Sequence, residues 1–169
     1  MDDVNTIILS GGGVKGGAYV GALKELFNYI KKENISNYIG TSIGGVFAIL
    51  LCIGYSISEL EAIFLKYNFD KFMPEFCIDT LLCSYGISDG VEISEFYKEL
   101  LKIKNYTINT TFAELYKKTN IKVTVTVTNF TEQCIEYWDY ESYPNYNIYD
   151  AMNATSRVPI FFTPYRYKN

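Results

Sequence analysis

The stretch YIGTSIGGVF, residues 38–47, reads as the end of a short strand, a tight turn and the start of an apolar helix. Ser42 stands between Gly40 and Gly44 in the G-x-S-x-G pattern of a nucleophile elbow. Larger side chains at the two glycine positions would collide with the neighbouring strand and helix. The predicted elbow consists of Gly40, Thr41, Ser42, Ile43 and Gly44, with the Ser42 hydroxyl alone at its tip. An unrelated Gly/Ser turn is the alternative, since a pattern with two free positions recurs often.

The sequence contains no histidine, which limits the chemistry open to a serine nucleophile. A serine hydroxyl needs a base to accept its proton, and in the usual triad that base is an imidazole. Ser42 as a nucleophile would therefore need a carboxylate or a lysine amine as its partner, and the mechanism would be a dyad. The missing imidazole also excludes a Cys/His zinc site, and the four cysteines contain no C-x-x-C pair. We predict no metal site and expect reduced, mostly buried thiols.

Length and composition are typical of one globular domain, which we predict to span residues 1–169. Apolar residues make up 49% of the chain and charged residues 20%, and the net charge of −4 argues against nucleic acid as a partner. The amino terminus, MDDVNTIILSGGG, has neither the basic nor the long apolar region of a signal peptide. No run approaches the ~18 apolar residues of a membrane span. We therefore expect a cytoplasmic protein, for which a lipid surface stays open as a partner.

A second glycine-rich stretch follows the first predicted strand. Residues 6–9, TIIL, are typical of a buried parallel strand, and residues 10–23, SGGGVKGGAYVGAL, come directly after it. Each glycine in a helix costs about 1 kcal/mol relative to alanine. So many glycines in this stretch therefore indicate that its backbone must adopt a conformation or a close contact that a side chain would prevent. A glycine loop that leads into a helix, here over residues 17–31, points backbone N–H groups at an anion. The predicted loop consists of Gly11, Gly12, Gly13, Val14, Lys15 and Gly16, and Lys15 either adds positive charge there or is an ordinary surface lysine.

Two kinds of anion compete for this loop. Gly11, Gly13 and Gly16 match G-x-G-x-x-G, which favours a dinucleotide pyrophosphate. The ribose-binding acid expected ~20 residues further on is not convincing, because Glu33 falls in a helix-terminal segment. The other anion is the oxyanion of a tetrahedral intermediate, held by the N–H groups of Gly12 and Gly13. We favour the oxyanion and predict no cofactor.

The two glycine-rich turns are about 30 residues apart, as a βαβ unit requires, and would meet at the carboxyl ends of adjacent parallel strands. In these stretches the sequence resembles the patatin-like phospholipase family. Residues 10–23 are similar to its glycine-rich oxyanion loop, and residues 38–48 are similar to its nucleophile elbow, with Ser42 in the nucleophile position. Residues 87–91, ISDGV, and 153–164, NATSRVPIFFTP, are similar to two further family segments, so the resemblance covers nearly the whole chain.

The resemblance implies an α/β fold, a three-layer α/β/α sandwich with a mostly parallel central sheet. It also implies lipid acyl hydrolysis by a serine and an aspartate without histidine. The oxyanion would be held by the N–H groups of Gly12, Gly13 and Ile43. The substrate would be a phospholipid or another fatty acyl ester, met peripherally at a membrane surface. The oligomeric state stays open.

The family's catalytic aspartate has no counterpart in the sequence. In the family it lies in a D-G-G or D-G-A turn after the segment similar to residues 153–164, whereas here only YRYKN follows Pro164. Asp89 is in the one Asp-Gly pair but precedes a predicted helix, which favours a loop or cap role, and Asp150 is expected to cap or begin a helix. We therefore expect a domain that is incomplete at its carboxyl end, with the base beyond residue 169. The alternative is a truncated lipid-binding pseudoenzyme.

The rest of the chain reads as scaffold. Apolar spacing predicts helices over residues 57–69, 92–103 and 111–118. Thr111 and Glu114 form a capping box for the last of these. Residues 121–130 alternate strictly, which predicts a strand paired with residues 134–138. Residues 70–86 read as an irregular segment, either a packed loop or a lid.

Overall fold

The computed structural model describes residues 4–69 and 78–167. The strands in these residues are β1 (Thr6–Leu9), β2 (Asn37–Thr41), β3 (Gly86–Ser88), β4 (Lys122–Asn129), β5 (Cys134–Trp138) and β6 (Ile160–Phe162). The α-helices are α1 (Ala18–Leu26), α2 (Ile43–Cys52), α3 (Ile57–Lys66), α4 (Ile78–Ser84), α5 (Val91–Ile103), α6 (Phe112–Thr119) and α7 (Ile148–Ser156). Short 3-10 helices cover Gly13–Gly17 and Lys32–Asn34.

The central sheet has the strand order β1-β2-β4-β5, and β3 pairs with β6 in a separate small sheet. β1, β2 and β4 run parallel, with Leu9 opposite Gly40 and Thr41 opposite Thr126. β5 runs antiparallel to β4, as the alternating pattern predicts. The carboxyl ends of β1, β2 and β4 therefore lie together at what we call the carboxyl edge. The predicted α/β fold with a mostly parallel central sheet is confirmed.

Helix α2 lies at the centre of the core. It is buried from Gly44 to Cys52, and it packs against β2, β4 and α7. A helix that is apolar on all sides is stable only when other elements surround it. It runs from the carboxyl edge, where Ser42 precedes it, to the opposite edge, where the Cys52 Sγ lies 3.9 Å from the Ile121 carbonyl oxygen. No helix within the described ranges has both the length and the apolar character that a membrane crossing requires.

The two faces of the central sheet differ in exposure. Ile7 and Leu9 point to the covered face and are only 6% and 5% exposed. Ile8 between them points to the other face and is 72% exposed, and Ile135 and Tyr137 on β5 are 61% and 56% exposed. Because strand side chains alternate between faces, the described residues cover one face of the sheet much more completely than the other.

Two predicted helix starts are confirmed in detail. The Ser56 side chain accepts a hydrogen bond from the Glu59 N–H, and the Glu59 carboxylate accepts one from the Ser56 N–H, which starts α3. Thr111 and Glu114 make the same reciprocal pair at the start of α6. Each box satisfies backbone donors that the first helical turn leaves without a partner.

Some sequence-based boundaries are wrong. The helix expected over residues 17–31 ends at Leu26. After it, the N–H groups of Asn28 and Tyr29 donate to the carbonyls three residues earlier, which forms turns in place of the α-helical i to i−4 pattern. Of the segment predicted to be irregular, residues 70–77 lie outside the described part, and the rest forms α4 and β3. β3 is three residues long and pairs with residues 160–162, far away in the sequence, so no local pattern could predict it.

The prediction of mostly buried thiols is also wrong for two cysteines. Cys52 is buried, and burial raises the pKa of its thiol to about 11. Cys83 on α4 and Cys134 at the start of β5 are exposed, and all three are free thiols. Cys134 is exposed because it is the first residue of β5, an edge strand, and directly follows the turn that connects β4 to β5. Cys77 lies outside the described residues.

Candidate active site

The predicted elbow joins β2 to α2. Ser42 has φ 55° and ψ −128°, a conformation that costs a residue with a side chain of order 1–3 kcal/mol and persists only where its surroundings hold it. A Cβ on Gly40 would overlap the backbone of Gly44, and a Cβ on Gly44 would overlap the Leu9 carbonyl oxygen. Both glycines are therefore required because other backbone passes within contact distance. Ser42 itself is partly exposed at the tip of the turn.

The glycine loop lies directly beside the elbow. A Cβ built on Gly11 would be 3.5 Å from the Ser42 Cβ, and one built on Gly16 would overlap the Ile43 side chain. Gly13 has φ 54°, a value that favours glycine. The structure thus brings together the two predicted turns, although they are distant in sequence. Contact with Ile43 explains Gly16 without a bound nucleotide.

The backbone of the loop faces solvent on its other side. Gly11, Gly12 and Gly13 are exposed, and the Lys15 N–H donates to the Gly12 carbonyl at 3.1 Å to close the turn. The side chains of Val14 and Lys15 are also exposed, Val14 to 71%. A ligand at Ser42 therefore has access to the loop, and Lys15 contributes a solvated charge at its rim.

Tyr19 connects the start of the glycine loop to α2. Its hydroxyl donates to the Ser10 carbonyl at 2.7 Å and lies 3.0 Å from the Ser10 Oγ. Its ring packs edge-on against Phe47 of α2, with 5.5 Å between centroids. The residue that precedes the glycine loop is thereby tied to the helix that carries the elbow. From the sequence, Tyr19 falls only within the helix predicted over residues 17–31, and its contact with Ser10 was not predicted.

Thr155, near the end of α7, contacts the elbow from the other side. The Ser42 N–H donates to the Thr155 Oγ1 at 2.7 Å, and the Thr155 hydroxyl donates to the Thr126 carbonyl at 2.7 Å. Thr155 was not predicted as a site residue. The available signal was its position in the stretch NATSRVPIFFTP, which resembles a family segment.

A groove of about 690 Å³ opens from Ser42 along the carboxyl edge. Its apolar wall includes Val127, Phe130, Trp138 and Val158. Glu132, Glu136, Arg157 and Arg166 are the charged residues among those that line it. A groove with both apolar and polar walls and a hydroxyl at one end can take a ligand that combines an apolar part with a polar reacting group.

The acidic residues singled out from the sequence have other partners. The Asp89 carboxylate accepts a hydrogen bond from the Val91 N–H at the start of α5. Asp150 lies in the first turn of α7, where it accepts from the Tyr165 hydroxyl at 2.6 Å. Within the described residues, neither Asp89 nor Asp150 lines the groove at Ser42. Nor do those residues contain a cluster of three or more Cys, Asp or Glu side chains that could hold a metal ion.

The groove contains one carboxylate that is held firmly in place. Glu136 accepts hydrogen bonds from the Asn129 amide and from the Trp138 indole N–H, both at 2.6 Å. Glu136 is paired with Val127 on β4, whereas Ser42 follows Thr41, which is paired with Thr126 on the opposite side of β4. A strand therefore separates the two side chains, and the described hydrogen bonds direct the Glu136 carboxylate towards β4 and β5.

Arg157 ties together the two other stretches that resemble the family. Its guanidinium donates to the Asp89 and Gly90 carbonyls and to the Ser94 hydroxyl. A Cβ on Gly90 would overlap this guanidinium, and Gly90 has φ 68°. Burial lowers the pKa of Arg157 from its ordinary value. Its role in the described residues is to hold the start of α5 against the end of α7.

A family model described as patatin-like phospholipase matches residues 7–169. A protein of Invertebrate iridescent virus 6 named probable lipid hydrolase 463L is 32% identical over 170 residues, which cover 97% of this chain and 57% of the relative. Protein R571 of Acanthamoeba polyphaga mimivirus is 30% identical over 95% of this chain and 54% of its own length. The chain thus spans about half the length of these curated relatives.

Solved structures share the fold. VipD from Legionella pneumophila aligns with a TM-score of 0.74 at 15% identity, over 96% of this chain and 44% of VipD. Full-length ExoU, in complex with SpcU from the type III secretion system of Pseudomonas aeruginosa, aligns with a TM-score of 0.68 at 18% identity. That alignment covers 99% of this chain and 41% of the matched chain.

Proposed function

Because the chain belongs to the patatin-like phospholipase family, we propose that it is the nucleophile-bearing part of a lipid acyl hydrolase, with Ser42 as the nucleophile. The observation that carries this proposal is that the glycine loop passes close to the Ser42 side chain, since a Cβ built on Gly11 would be 3.5 Å from the Ser42 Cβ. A hydroxyl and a set of backbone N–H groups at one point are what acyl transfer needs. The proposed substrate is a phospholipid or another fatty acyl ester, whose chain would occupy the groove.

In the proposed mechanism, the Ser42 Oγ attacks the acyl carbonyl, and a base accepts the hydroxyl proton. The N–H groups of Gly12, Gly13 and Ile43 would stabilise the oxyanion, and the positive end of α2 would add to this. Collapse of the intermediate releases the alcohol and leaves an acyl-serine, which water then hydrolyses. Residues 1–169 contain no histidine, and we propose a carboxylate as the base, as the resemblance to the family implies.

Replacement of the nucleophile tests the proposal. We expect Ser42→Ala to lower the release of fatty acid from a soluble short-chain ester by several orders of magnitude, whereas Ser58→Ala should change it little. Ser58 is a matched control because it is an exposed serine on α3. The assay should use the full-length natural gene product. Unchanged turnover in Ser42→Ala would remove Ser42 from the mechanism.

The lipid-binding pseudoenzyme is the second candidate, since Asp89 and Asp150, the two aspartates singled out from the sequence, do not line the groove at Ser42. The coding sequence beyond Asn169 discriminates the two. A D-G-G or D-G-A turn within a few dozen codons favours the hydrolase, and an immediate stop favours the pseudoenzyme. Lipid binding without measurable turnover by the natural product would establish the second candidate.

We also propose that the carboxyl edge meets the lipid surface, in a cytoplasmic setting. Val14 on the glycine loop is 71% exposed, and Phe130 and Val158 at the groove are 60% and 46% exposed. Phe130 and Val158 line the groove that reaches Ser42, and Val14 lies on the neighbouring glycine loop. Their insertion among acyl chains would remove apolar surface from water, which favours peripheral binding without a membrane-spanning segment.

Vesicle binding tests this surface. The Ser42→Ala background serves to stop turnover. In this background we expect Phe130→Asp to weaken binding to phosphatidylcholine vesicles about tenfold, because one aromatic side chain that would insert among the acyl chains is lost. Ile103→Asp is the control, because Ile103 is 62% exposed but ends α5 beside Lys104, which pairs with Glu59 near the opposite edge. Equal binding by both variants would contradict the proposed surface.

A further inference from the structure

We infer that Thr155 is a positioning residue for the nucleophile, which acts through the backbone of Ser42. The inference rests on the proposed role of Ser42 and concerns a contact that is separate from the glycine loop. Two hydrogen bonds carry it: Ser42 N–H to Thr155 Oγ1, and Thr155 Oγ1–H to the Thr126 carbonyl, both 2.7 Å long. One hydroxyl thus connects the elbow, β4 and α7.

The Thr155 hydroxyl replaces a backbone hydrogen bond between β2 and β4. Thr41 and Thr126 are the last pair that β2 and β4 form with each other, so the next hydrogen bond between these two parallel strands would join the Ser42 N–H to the Thr126 carbonyl. At the elbow β2 leaves the sheet to start α2, and the two backbone groups are bridged by Thr155 instead. The bridge satisfies both groups, which would otherwise lose a partner in a partly buried place.

The hydroxyl has a single orientation in this bridge. Its proton is committed to the Thr126 carbonyl, and its lone pair accepts from the Ser42 N–H, so neither partner can be exchanged without loss of the other bond. The Thr155 methyl group lies beside Gly45 of α2, since a Cβ built on Gly45 would be 3.2 Å from the Thr155 Cγ2. The hydroxyl is held by its two hydrogen bonds.

The bridge has a consequence for the chemistry. It holds the strained backbone of Ser42, whose φ is 55°, at the point where the side chain leaves the turn. It also engages the Ser42 N–H, so the oxyanion donors are drawn from the glycine loop and the start of α2. A displaced Ser42 Oγ would attack less well, although the groove that binds the substrate would be unchanged.

The experiment compares Thr155→Val, which keeps the shape but removes the hydroxyl, with Thr155→Ser, which keeps the hydroxyl. We measure kcat and KM for a soluble ester and the rate at which a fluorophosphonate labels Ser42. We expect Thr155→Val to lower kcat and the labelling rate about 10²-fold at nearly constant KM. Thr155→Ser is expected to restore both rates to near the wild-type values.

Wild-type labelling rates in Thr155→Val would overturn the inference, as would equal losses in Thr155→Val and Thr155→Ser. Loss of labelling in Ser42→Ala, measured in parallel, shows that the probe reports on Ser42. If Ser42→Ala is labelled as fast as the wild type, the proposed function fails instead. If Thr155→Val does not fold, Thr155→Ala serves, and hydrogen exchange at the Ser42 amide should be faster in it than in Thr155→Ser.

Discussion

Ser42 combines a strained backbone with neighbours that leave no room for alternatives. Its φ of 55° is held by the close contacts of Gly40 and Gly44 and by the Thr155 hydroxyl. Strain of this kind is kept where the surrounding structure over-determines the conformation, and such places are often functional. The residue that we propose as the nucleophile thus has a strained backbone that its neighbours hold in place.

A prediction at this scale concerns Gly44. We expect Gly44→Ala to lower the free energy of unfolding by at least about 2 kcal/mol, because the new methyl group would overlap the Leu9 carbonyl and backbone cannot move aside cheaply. Gly21→Ala is the matched control: nothing lies within 4 Å of a Cβ there, so it should stabilise α1 by about 0.5–1 kcal/mol. Chemical denaturation of both variants checks this, and a Gly44→Ala protein as stable as the wild type would contradict it.

At the scale of single elements, caps and charge pairs determine where helices start. At α3, Glu59 accepts hydrogen bonds from the Ser56 N–H at 2.8 Å and from the Lys104 Nζ at 2.7 Å. These bonds lower the pKa of Glu59 from 4.5 to about 2, and the bond from Lys104 contributes more than those from Ser56. Because the Glu59 side chain is 45% exposed, solvent weakens the effect of this pair on stability.

The sign of the pH dependence follows from the lowered pKa. A carboxylate with a lower pKa in the folded state adds stability that is fully present above the unfolded pKa, near 4.5, and is lost as the pH falls through about 2. We therefore expect the melting temperature of the wild type to fall more between pH 5 and pH 2 than that of Glu59→Gln. Glu99→Gln, at an exposed position on α5, should behave like the wild type. Parallel curves for Glu59→Gln and the wild type would show that the pair contributes nothing.

At the scale of the whole molecule, the two faces of the central sheet provide a direct comparison. Ile7 and Ile8 are neighbours on β1, but Ile7 is 6% exposed and Ile8 is 72% exposed. We expect Ile7→Ala to cost about 2–5 kcal/mol of unfolding free energy and Ile8→Ala at most about 1 kcal/mol. Denaturant unfolding of the two variants measures the difference. Equal costs would mean that the face at Ile8 is covered in solution.

Local patterns predicted many elements because their causes are local. The capping box at Thr111 marks the start of α6, apolar spacing marks α3, and strict alternation marks β4. Where the cause is distant, the same reasoning fails. An example is β3, which pairs with residues 160–162. The early end of α1 has a local cause, since Asn28 and Tyr29 form turn hydrogen bonds, but the spacing of apolar residues does not reveal it.

In the candidate site, too, the features with local causes can be predicted from the sequence, and those that depend on distant contacts cannot. Glycine spacing around Ser42 and in residues 11–16, together with the absence of histidine, is readable from the sequence, because it reflects steric and chemical limits on individual residues. The contact between these turns, the hydrogen bond from Tyr19 and the bridge through Thr155 depend on the tertiary structure. Thr155 is 113 residues from Ser42, and only the parallel pairing of β2 and β4 against α7 brings the two within hydrogen-bond distance.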